Sequence, residues 1–186
     1  MRITGGKWRS RVLHGPKSRS PVRPTPDALR ERSFAVLGQE VYDAAFLDLF
    51  AGTGAVGLEA LSRGAKRVVF VEQHRPTAKL ILRNCATLGV DEHSGRVLVR
   101  TAEVAVRELA HHGDLFDIVW ADPPFETWQL GVAALFEAVS AGVVRSGGTC
   151  CLECPESAEA PESASGLRRI RTLEGGASRL MIFQAE

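Results

Sequence analysis

The sequence lacks the features of a membrane-bound, secreted or zinc-stabilised protein. No apolar run approaches the roughly 20 residues that cross a bilayer, and acidic residues interrupt the strand-like segments. The N-terminus is polar and basic, without the apolar segment of a secretory signal. Cys151 and Cys154 form one CxxC pair, but no second pair and no nearby histidine pair completes a zinc site. We therefore expect a cytoplasmic protein without a metal, whose cysteines are small apolar residues in a buried strand.

Net charge is also nearly absent, but its distribution is uneven. The 186-residue chain carries a formal charge of +1. Residues 1–32 hold nine Lys or Arg against Asp27 and Glu31, a charge of +7, which leaves −6 on the rest of the chain. A basic arm on an acidic body predicts contact with a polyanion. A solvated, partly disordered tail is the alternative, and Trp8 within the basic stretch favours a folded β-hairpin instead.

The arm supplies the candidate nucleic-acid contacts. They are the basic residues of the N-terminal region together with its tryptophan: Arg2, Lys7, Trp8, Arg9, Arg11, Lys17, Arg19, Arg23 and Arg30. Residues 15–26 are rich in proline and predict an extended linker. We expect the arm over residues 1–22 and one larger domain over 23–186, which comprises a linker and lead-in helix (23–38) and a core (45–186).

Strand and helix patterns alternate through the core. Strands are predicted over 45–50, 67–72, 96–100, 116–122 and 147–154, and helices over 55–64, 76–89, 103–111 and 128–141. Segments 167–173 and 178–183 flank a glycine-containing turn and predict an antiparallel hairpin. The fold class is thus α/β: a doubly wound, Rossmann-like sheet that is mostly parallel, with a C-terminal antiparallel hairpin.

A glycine-rich loop follows the first strand in the segment DLFAGTGAVGLEA, residues 48–60. Glycines at this position let a backbone approach a ligand closely, and Glu72, 20 residues after Gly52, lies where an acid accepts hydrogen bonds from a ribose. Asp48 would repel a pyrophosphate but can hold a cationic amino-acid group, which favours S-adenosylmethionine over a dinucleotide. The predicted cofactor-binding residues are Asp48, Phe50, Ala51, Gly52, Thr53, Gly54, Gly57 and Glu72.

The segment ADPPFE, residues 121–126, ends the fourth predicted strand. Two prolines cannot continue a strand and make the loop rigid. Asp122 and the carbonyl of Pro123 can accept both N–H hydrogens of an exocyclic amine, and Phe125 can stack on a base taken out of its helix. With Pro124 as the second rigid position, Asp122, Pro123, Pro124 and Phe125 are the candidate catalytic residues.

These segments resemble known methyltransferases. The 48–60 loop is similar to the cofactor loop of class I methyltransferases, and ADPPF to the D/N-P-P-F/Y motif of amino-methyltransferases. ITGGKWRSRVL (3–13) and RPTPDALRERSFAVL (23–37) resemble the opening of bacterial 16S rRNA guanine-N2 methyltransferases of the RsmD type. The resemblance implies methyl transfer from S-adenosylmethionine to N2 of one guanosine in 16S rRNA, within assembled or late-assembling 30S subunits. We expect a monomer that acts away from membranes.

One position departs from the family pattern. The family has an aspartate near the cofactor adenine after the third strand, whereas this chain has Ala102 and Glu103 there. Glu103 or a backbone carbonyl is the candidate replacement. Three alternatives stay open: an adenine-N6 methyltransferase of DNA or RNA, a protein-glutamine methyltransferase, and a non-catalytic nucleic-acid-binding module, which would need neither Glu72 nor Asp122.

Overall fold

The computed structural model describes residues 1–15, 27–159, 163–164 and 166–186. Its five helices are α1 (Asp27–Leu37), α2 (Ala55–Ser62), α3 (Arg75–Leu88), α4 (Ala102–His111) and α5 (Gln129–Ser140). Its strands are β1 (Ala45–Asp48), β2 (Arg67–Val71), β3 (Gly95–Leu98), β4 (Phe116–Ala121), β5 (Val144–Pro155), β6 (Ser163–Ala164), β7 (Leu167–Glu174) and β8 (Ser178–Ala185). Short 3₁₀ turns lie at Gly6–Trp8, Gly38–Val41 and Phe125–Thr127.

The strands form one sheet in the order β3-β2-β1-β4-β5-β8-β7-β6. The first five in this order are parallel, while β8 is antiparallel to β5 and to β7. This confirms the predicted doubly wound sheet with its C-terminal antiparallel hairpin. The switch point lies between β1 and β4, because the chain leaves β1 toward β2 and β3 and returns to the other side through β4.

The predicted elements differ from the observed ones mainly at their ends. β1 stops at Asp48, two residues earlier than predicted, because the following residues turn into the glycine loop. β5 begins at Val144, three residues earlier than predicted, with a register shift opposite Phe116 and Ile118. The two-residue strand β6 was not predicted, since it has no hydrophobic pattern of its own.

Apolar residues fill both faces of the sheet. On one face, α1, α2 and α3 cover a cluster in which the rings of Phe34 and Trp120 stack with centroids 6.0 Å apart. On the other face, α4 and α5 cover a second cluster, which includes Val106 and Leu135. Parallel strands buried on both faces read as continuous apolar runs, as in β2 and β4. The helices therefore cover the sheet on both faces.

The N-terminal residues fold as a small hairpin, as predicted. Arg2 and Val12 form an antiparallel bridge, and the backbone N–H of Ile3 donates to the carbonyl of Arg11 (3.0 Å). Ile3 and Leu13 are buried in the cluster that covers the α1–α3 face. The hairpin therefore packs on the core of the protein and shares its apolar interior.

The four cysteines are all buried and reduced. Cys150, Cys151 and Cys154 lie in β5, as predicted, whereas Cys85 lies on α3. Burial raises the pKa of Cys150 to about 12 and that of Cys85 to about 11, so neither is a reactive thiolate at neutral pH. Within the described part of the chain, no helix combines the length and apolar character needed to cross a membrane.

Candidate active site

Three strand ends meet at the switch point of the sheet. The N–H of Leu49 donates to the carbonyl of Trp120 (2.9 Å), which joins the end of β1 to β4. The N–H of Ala51 donates to the carbonyl of Val71 (2.9 Å), which joins it to β2. The residues at or just beyond these ends are acidic: Asp48, Glu72 and Asp122. We call this group the acidic edge.

Asp48 is held inside the glycine loop. Its carboxylate accepts a hydrogen bond from the N–H of Gly57 (3.0 Å), and its side chain is 1% exposed. Gly57 packs so closely on β2 that an added Cβ would lie 2.3 Å from the Phe70 ring. A larger residue there would push α2 away from the sheet and move the loop. The close contact between Gly57 and β2 thus positions Asp48.

The other loop residues follow the end of β1 and differ in burial. Ala51 and Gly54 are buried, while Phe50, Gly52 and Thr53 are half-buried. The N–H of Gly52 donates to Oε2 of Glu72 (3.0 Å), and the N–H of His74 donates to Oε1 (2.7 Å). The two ends of the Glu72 carboxylate are therefore fixed by backbone donors, beside the loop predicted to carry the cofactor.

The acidic edge is electrostatically unfavourable without a cation. The pKa of Asp48 is raised to about 8, mainly by burial and in smaller part by the negative charges of Asp122 and Glu72, against the lowering effect of the Gly57 hydrogen bond. A pKa of about 8 favours the protonated form of Asp48 at neutral pH in the ligand-free protein. A cationic group placed here would favour the ionised carboxylate. The edge is thus suited to a positively charged ligand.

The loop after β4 is rigid for reasons visible in its contacts. Pro123 is buried against α5, where a Cβ on Gly131 would lie 2.9 Å from the Pro123 ring. Pro124 is exposed, and its carbonyl accepts from the N–H of Thr127 (2.9 Å), closing a short 3₁₀ turn. Asp122 and Phe125 are half-buried on either side of the prolines. The loop presents a carboxylate and a ring in fixed positions.

The two residues near the expected adenine position, Ala102 and Glu103, differ in their burial and in their partners. Ala102 is half-buried at the start of α4, where the side chain of Thr101 caps the N–H of Val104 (3.4 Å). Glu103 is exposed, and its carboxylate lies 2.8 Å from the guanidinium of Arg107. Glu103 therefore already has a cationic partner, which leaves the backbone at Ala102 as the simpler candidate for the adenine amine.

The hairpin presents most of its predicted RNA contacts to solvent. Arg2, Lys7, Arg9 and Arg11 are exposed, and Trp8 is half-buried. The Lys7 ammonium lies 4.1 Å from the centre of the Trp8 ring. Lys17, Arg19 and Arg23 lie outside the described residues.

The prediction that Arg30 contacts RNA is wrong. Its side chain is 1% exposed, and Nε lies 3.5 Å from the Glu59 carboxylate. Its terminal nitrogen donates to Asp27 (2.9 Å) and to the carbonyl of Arg2 (2.6 Å). The side chain of Arg30 holds the hairpin to α1, and a guanidinium buried in this way cannot reach a phosphate.

Two buried polar residues with structural roles were not predicted. Glu59 accepts hydrogen bonds from the N–H groups of Thr4 (2.7 Å) and Gly5 (2.8 Å), which fixes the hairpin on α2. Asn84 pairs with the backbone of His14 and donates to the carbonyl of Thr53 (2.9 Å), which joins the hairpin exit to the cofactor loop. Each of these two residues is a lone polar residue on the apolar face of its helix, and this feature of the sequence could have identified it.

The sheet order, the glycine loop and the acidic edge define a class I methyltransferase fold. A family model described as "Conserved hypothetical protein 95" matches residues 1–184, and the chain belongs to this family, which is the RsmD type.

Individual relatives agree with this assignment. The chain is 42% identical over 125 residues to Ribosomal RNA small subunit methyltransferase D of Escherichia coli K12, a match that covers 67% of this chain and 60% of that protein. The solved structure of a putative methyltransferase from Escherichia coli matches with a TM-score of 0.85 and 32% identity over 100% of this chain and 98% of that one. A hypothetical protein of Thermus thermophilus matches with a TM-score of 0.81 and 33% identity over 98% of both chains.

Proposed function

We propose that this protein transfers a methyl group from S-adenosylmethionine to the exocyclic N2 amine of one guanosine in 16S rRNA, in assembled or late-assembling 30S subunits. The observation that carries the proposal is the position of Asp122-Pro123-Pro124-Phe125 directly after β4, where Asp122 faces the buried Asp48 of the neighbouring strand. An amine acceptor and a site for a cationic cofactor then lie on adjacent strands. The name of the Escherichia coli relative, which specifies small-subunit rRNA, supports the choice of substrate.

The residues at the edge fit S-adenosylmethionine. This cofactor supplies a methyl group bonded to a positively charged sulfur, which departs as a neutral thioether. Glu72 would accept hydrogen bonds from the ribose hydroxyls, and Asp48 would face the positive amino-acid end. The half-buried backbone of Gly52 and Thr53 would lie against the cofactor. The backbone at Ala102, and not the paired carboxylate of Glu103, would meet the adenine amine.

The loop after β4 would hold the target base. A guanine amine is a weak nucleophile because its lone pair is delocalised into the ring. Asp122 and the Pro123 carbonyl would accept its two hydrogens, so that the lone pair points at the methyl carbon. With the cofactor bound, Asp122 and the Pro123 carbonyl would keep the amine aligned while the N–C bond forms and the S–C bond breaks with its electron pair left on sulfur, and the proton lost by the amine would pass to solvent. Phe125 would stack on the base, and the rigid loop supplies the near-attack alignment on which transfer depends.

The hairpin would bind the RNA backbone. Exposed basic residues supply affinity for phosphate without regard to sequence. Arg2, Lys7, Arg9 and Arg11 are exposed on the hairpin that carries the half-buried Trp8. The cytoplasm is the compartment in which such a substrate occurs, and the protein would act on it as a monomer.

Nucleoside mapping tests the proposal directly. The protein and methyl-labelled S-adenosylmethionine are incubated with 30S subunits from a strain that lacks the corresponding enzyme, and the digested RNA is analysed by mass spectrometry. Label in N2-methylguanosine at one position is the expected result. Label in N6-methyladenosine would make the protein an adenine methyltransferase. Calorimetry that detected no cofactor binding would leave a nucleic-acid-binding module.

A further inference from the structure

The exposed face of α3 carries three cations outside the hairpin. Arg75, Lys79 and Arg83 are all exposed and are spaced four residues apart. Because residues at this spacing fall on one side of a helix, the three side chains point the same way. A rise of 1.5 Å per residue spreads them over about 12 Å. We call this group the α3 basic face.

Among the described residues, no acid forms an ion pair with the α3 basic face. Across the described ranges, none of the three residues has a carboxylate within 4.0 Å. Most other arginines of the body are paired: Arg67 with Asp114, Arg96 and Arg100 with Glu108, Arg107 with Glu103 and Glu137, Arg145 with Asp117, and Arg179 with Glu174. A cluster of unpaired cations on an otherwise acidic body is the charge pattern that complements a polyanion.

The α3 basic face lies between the hairpin exit and the acidic edge. α3 begins three residues after Glu72 and ends beside the hairpin exit. Asn84 accepts a hydrogen bond from the N–H of His14 (2.8 Å) and donates to its carbonyl (3.1 Å). Arg83 precedes Asn84 directly. A strand of RNA that follows the cations from the hairpin exit toward Glu72 would therefore arrive at the methyl-transfer site.

We propose that the α3 basic face binds the phosphate backbone of the substrate RNA and continues the surface that begins on the hairpin. This inference rests on the proposed function, because it takes the polyanion to be the RNA that is methylated. The contact itself does not depend on which base is modified, because the cations at positions 75, 79 and 83 bind phosphates and not bases.

Matched charge-neutralising variants test the proposal. The double variant Lys79→Gln and Arg83→Gln removes two charges from α3. The control variant Arg168→Gln and Arg171→Gln removes two charges from exposed positions on β7, at the opposite end of the sheet. Binding to 30S subunits is measured by filter retention as potassium chloride is varied at constant magnesium. Calorimetry with S-adenosylmethionine verifies that both variants are folded.

Two phosphate contacts contribute about 1.4–1.8 units to the log–log salt slope. The α3 variant is expected to flatten the slope by about that amount, on 30S subunits and on protein-free 16S rRNA, and the control to leave it unchanged. Equal slopes for the α3 variant and the wild type overturn the proposal, as does equal flattening by the control. An effect on 30S subunits that vanishes on protein-free rRNA also overturns it, because the partner would then be a ribosomal protein. Wild-type protein that binds with the expected slopes but transfers no methyl group refutes the proposed function alone.

Discussion

Glu59 and Asp48 are both buried carboxylates on the α2 side of the sheet, but their surroundings are opposite. Glu59 is 0% exposed and lies between the guanidinium groups of Arg30 and Arg63, with two backbone N–H donors from the hairpin. Asp48 is 1% exposed, accepts a hydrogen bond from the backbone of Gly57, and faces the negative charges of Asp122 and Glu72.

The difference separates a structural site from the proposed cofactor site. A buried acid surrounded by cations and donors is satisfied within the fold and holds segments together. A buried acid beside two other acids has its pKa raised, and it becomes favourable only when a cation arrives from outside. The hairpin is therefore fixed by internal pairing, whereas the acidic edge is the place where we propose that the cofactor binds.

Glu59→Gln is expected to have the largest effect of the substitutions considered, and this effect is a loss of stability. The substitution removes the buried negative charge between Arg30 and Arg63 and leaves Arg30 with Asp27 alone, and breaking a buried pair in this way costs about 3–5 kcal/mol. Urea denaturation should show that loss, and the amide hydrogens of Thr4 and Gly5 should exchange faster. Glu103→Gln is the control, because it removes an exposed acid and should change stability little. A loss below about 1 kcal/mol for Glu59→Gln would contradict the structural role.

Asp48→Asn is expected to raise the stability of the ligand-free protein, whereas Glu59→Gln lowers it. An unfolded aspartate ionises near pH 3.9, whereas native Asp48 has a pKa of about 8. The stability that protonated Asp48 contributes to the wild-type protein is thus fully present below about pH 4. It is lost as the pH rises toward 8, by at most about 1.4 kcal/mol per pH unit. The Asn variant should lack this slope and be more stable than wild type by a few kcal/mol near pH 7.

Denaturation of both proteins from pH 4 to 8 measures the difference. Groups that do not interact with Asp48 contribute equally to the two profiles and cancel, so the difference reports Asp48 together with its coupling to its acidic neighbours. Parallel stability profiles would show that Asp48 is not held protonated by its surroundings.

Asp122→Ala is expected to reduce methyl transfer by roughly 100-fold or more, the scale of a lost positioned group. Cofactor affinity should change little, because Asp122 faces the base in this account. Asp122→Asn keeps one oxygen acceptor and should retain more activity than the alanine variant. Single-turnover rates with 30S subunits provide the measurement. An alanine variant within threefold of wild type would remove Asp122 from the reaction.

Glu72→Ala should weaken cofactor binding by at least tenfold. Hydrogen bonds to a charged acceptor contribute about 1.5–3 kcal/mol, and this carboxylate is already oriented by Gly52 and His74. Calorimetric titration gives the dissociation constant, with circular dichroism to verify the fold. An unchanged constant in a folded variant would place the cofactor elsewhere.

The sequence predicted the acidic edge well, because parallel strands place their carboxyl ends together. Asp48, Glu72 and Asp122 follow apolar runs that are recognisable without any tertiary information. The hairpin was also predicted, from a tryptophan and apolar residues within a basic stretch. Its attachment was not, because Glu59 meets Thr4 across 55 positions of the chain. Arg30 was misassigned for the same reason, since its charge is visible in the sequence but its burial depends on α1 packing against the hairpin.

The most direct test of the contrast between the two carboxylates is proton release when S-adenosylmethionine binds. At pH 6.5 ligand-free Asp48 is protonated, while the α-amino group of the cofactor is already charged. If the cation lowers the pKa of Asp48 below this pH, binding should release close to one proton. Calorimetry in buffers of different ionisation enthalpy measures that number, and Asp48→Asn should abolish the release. Binding of the cofactor to the wild-type protein without release of a proton would contradict the assignment of Asp48 to its cationic end.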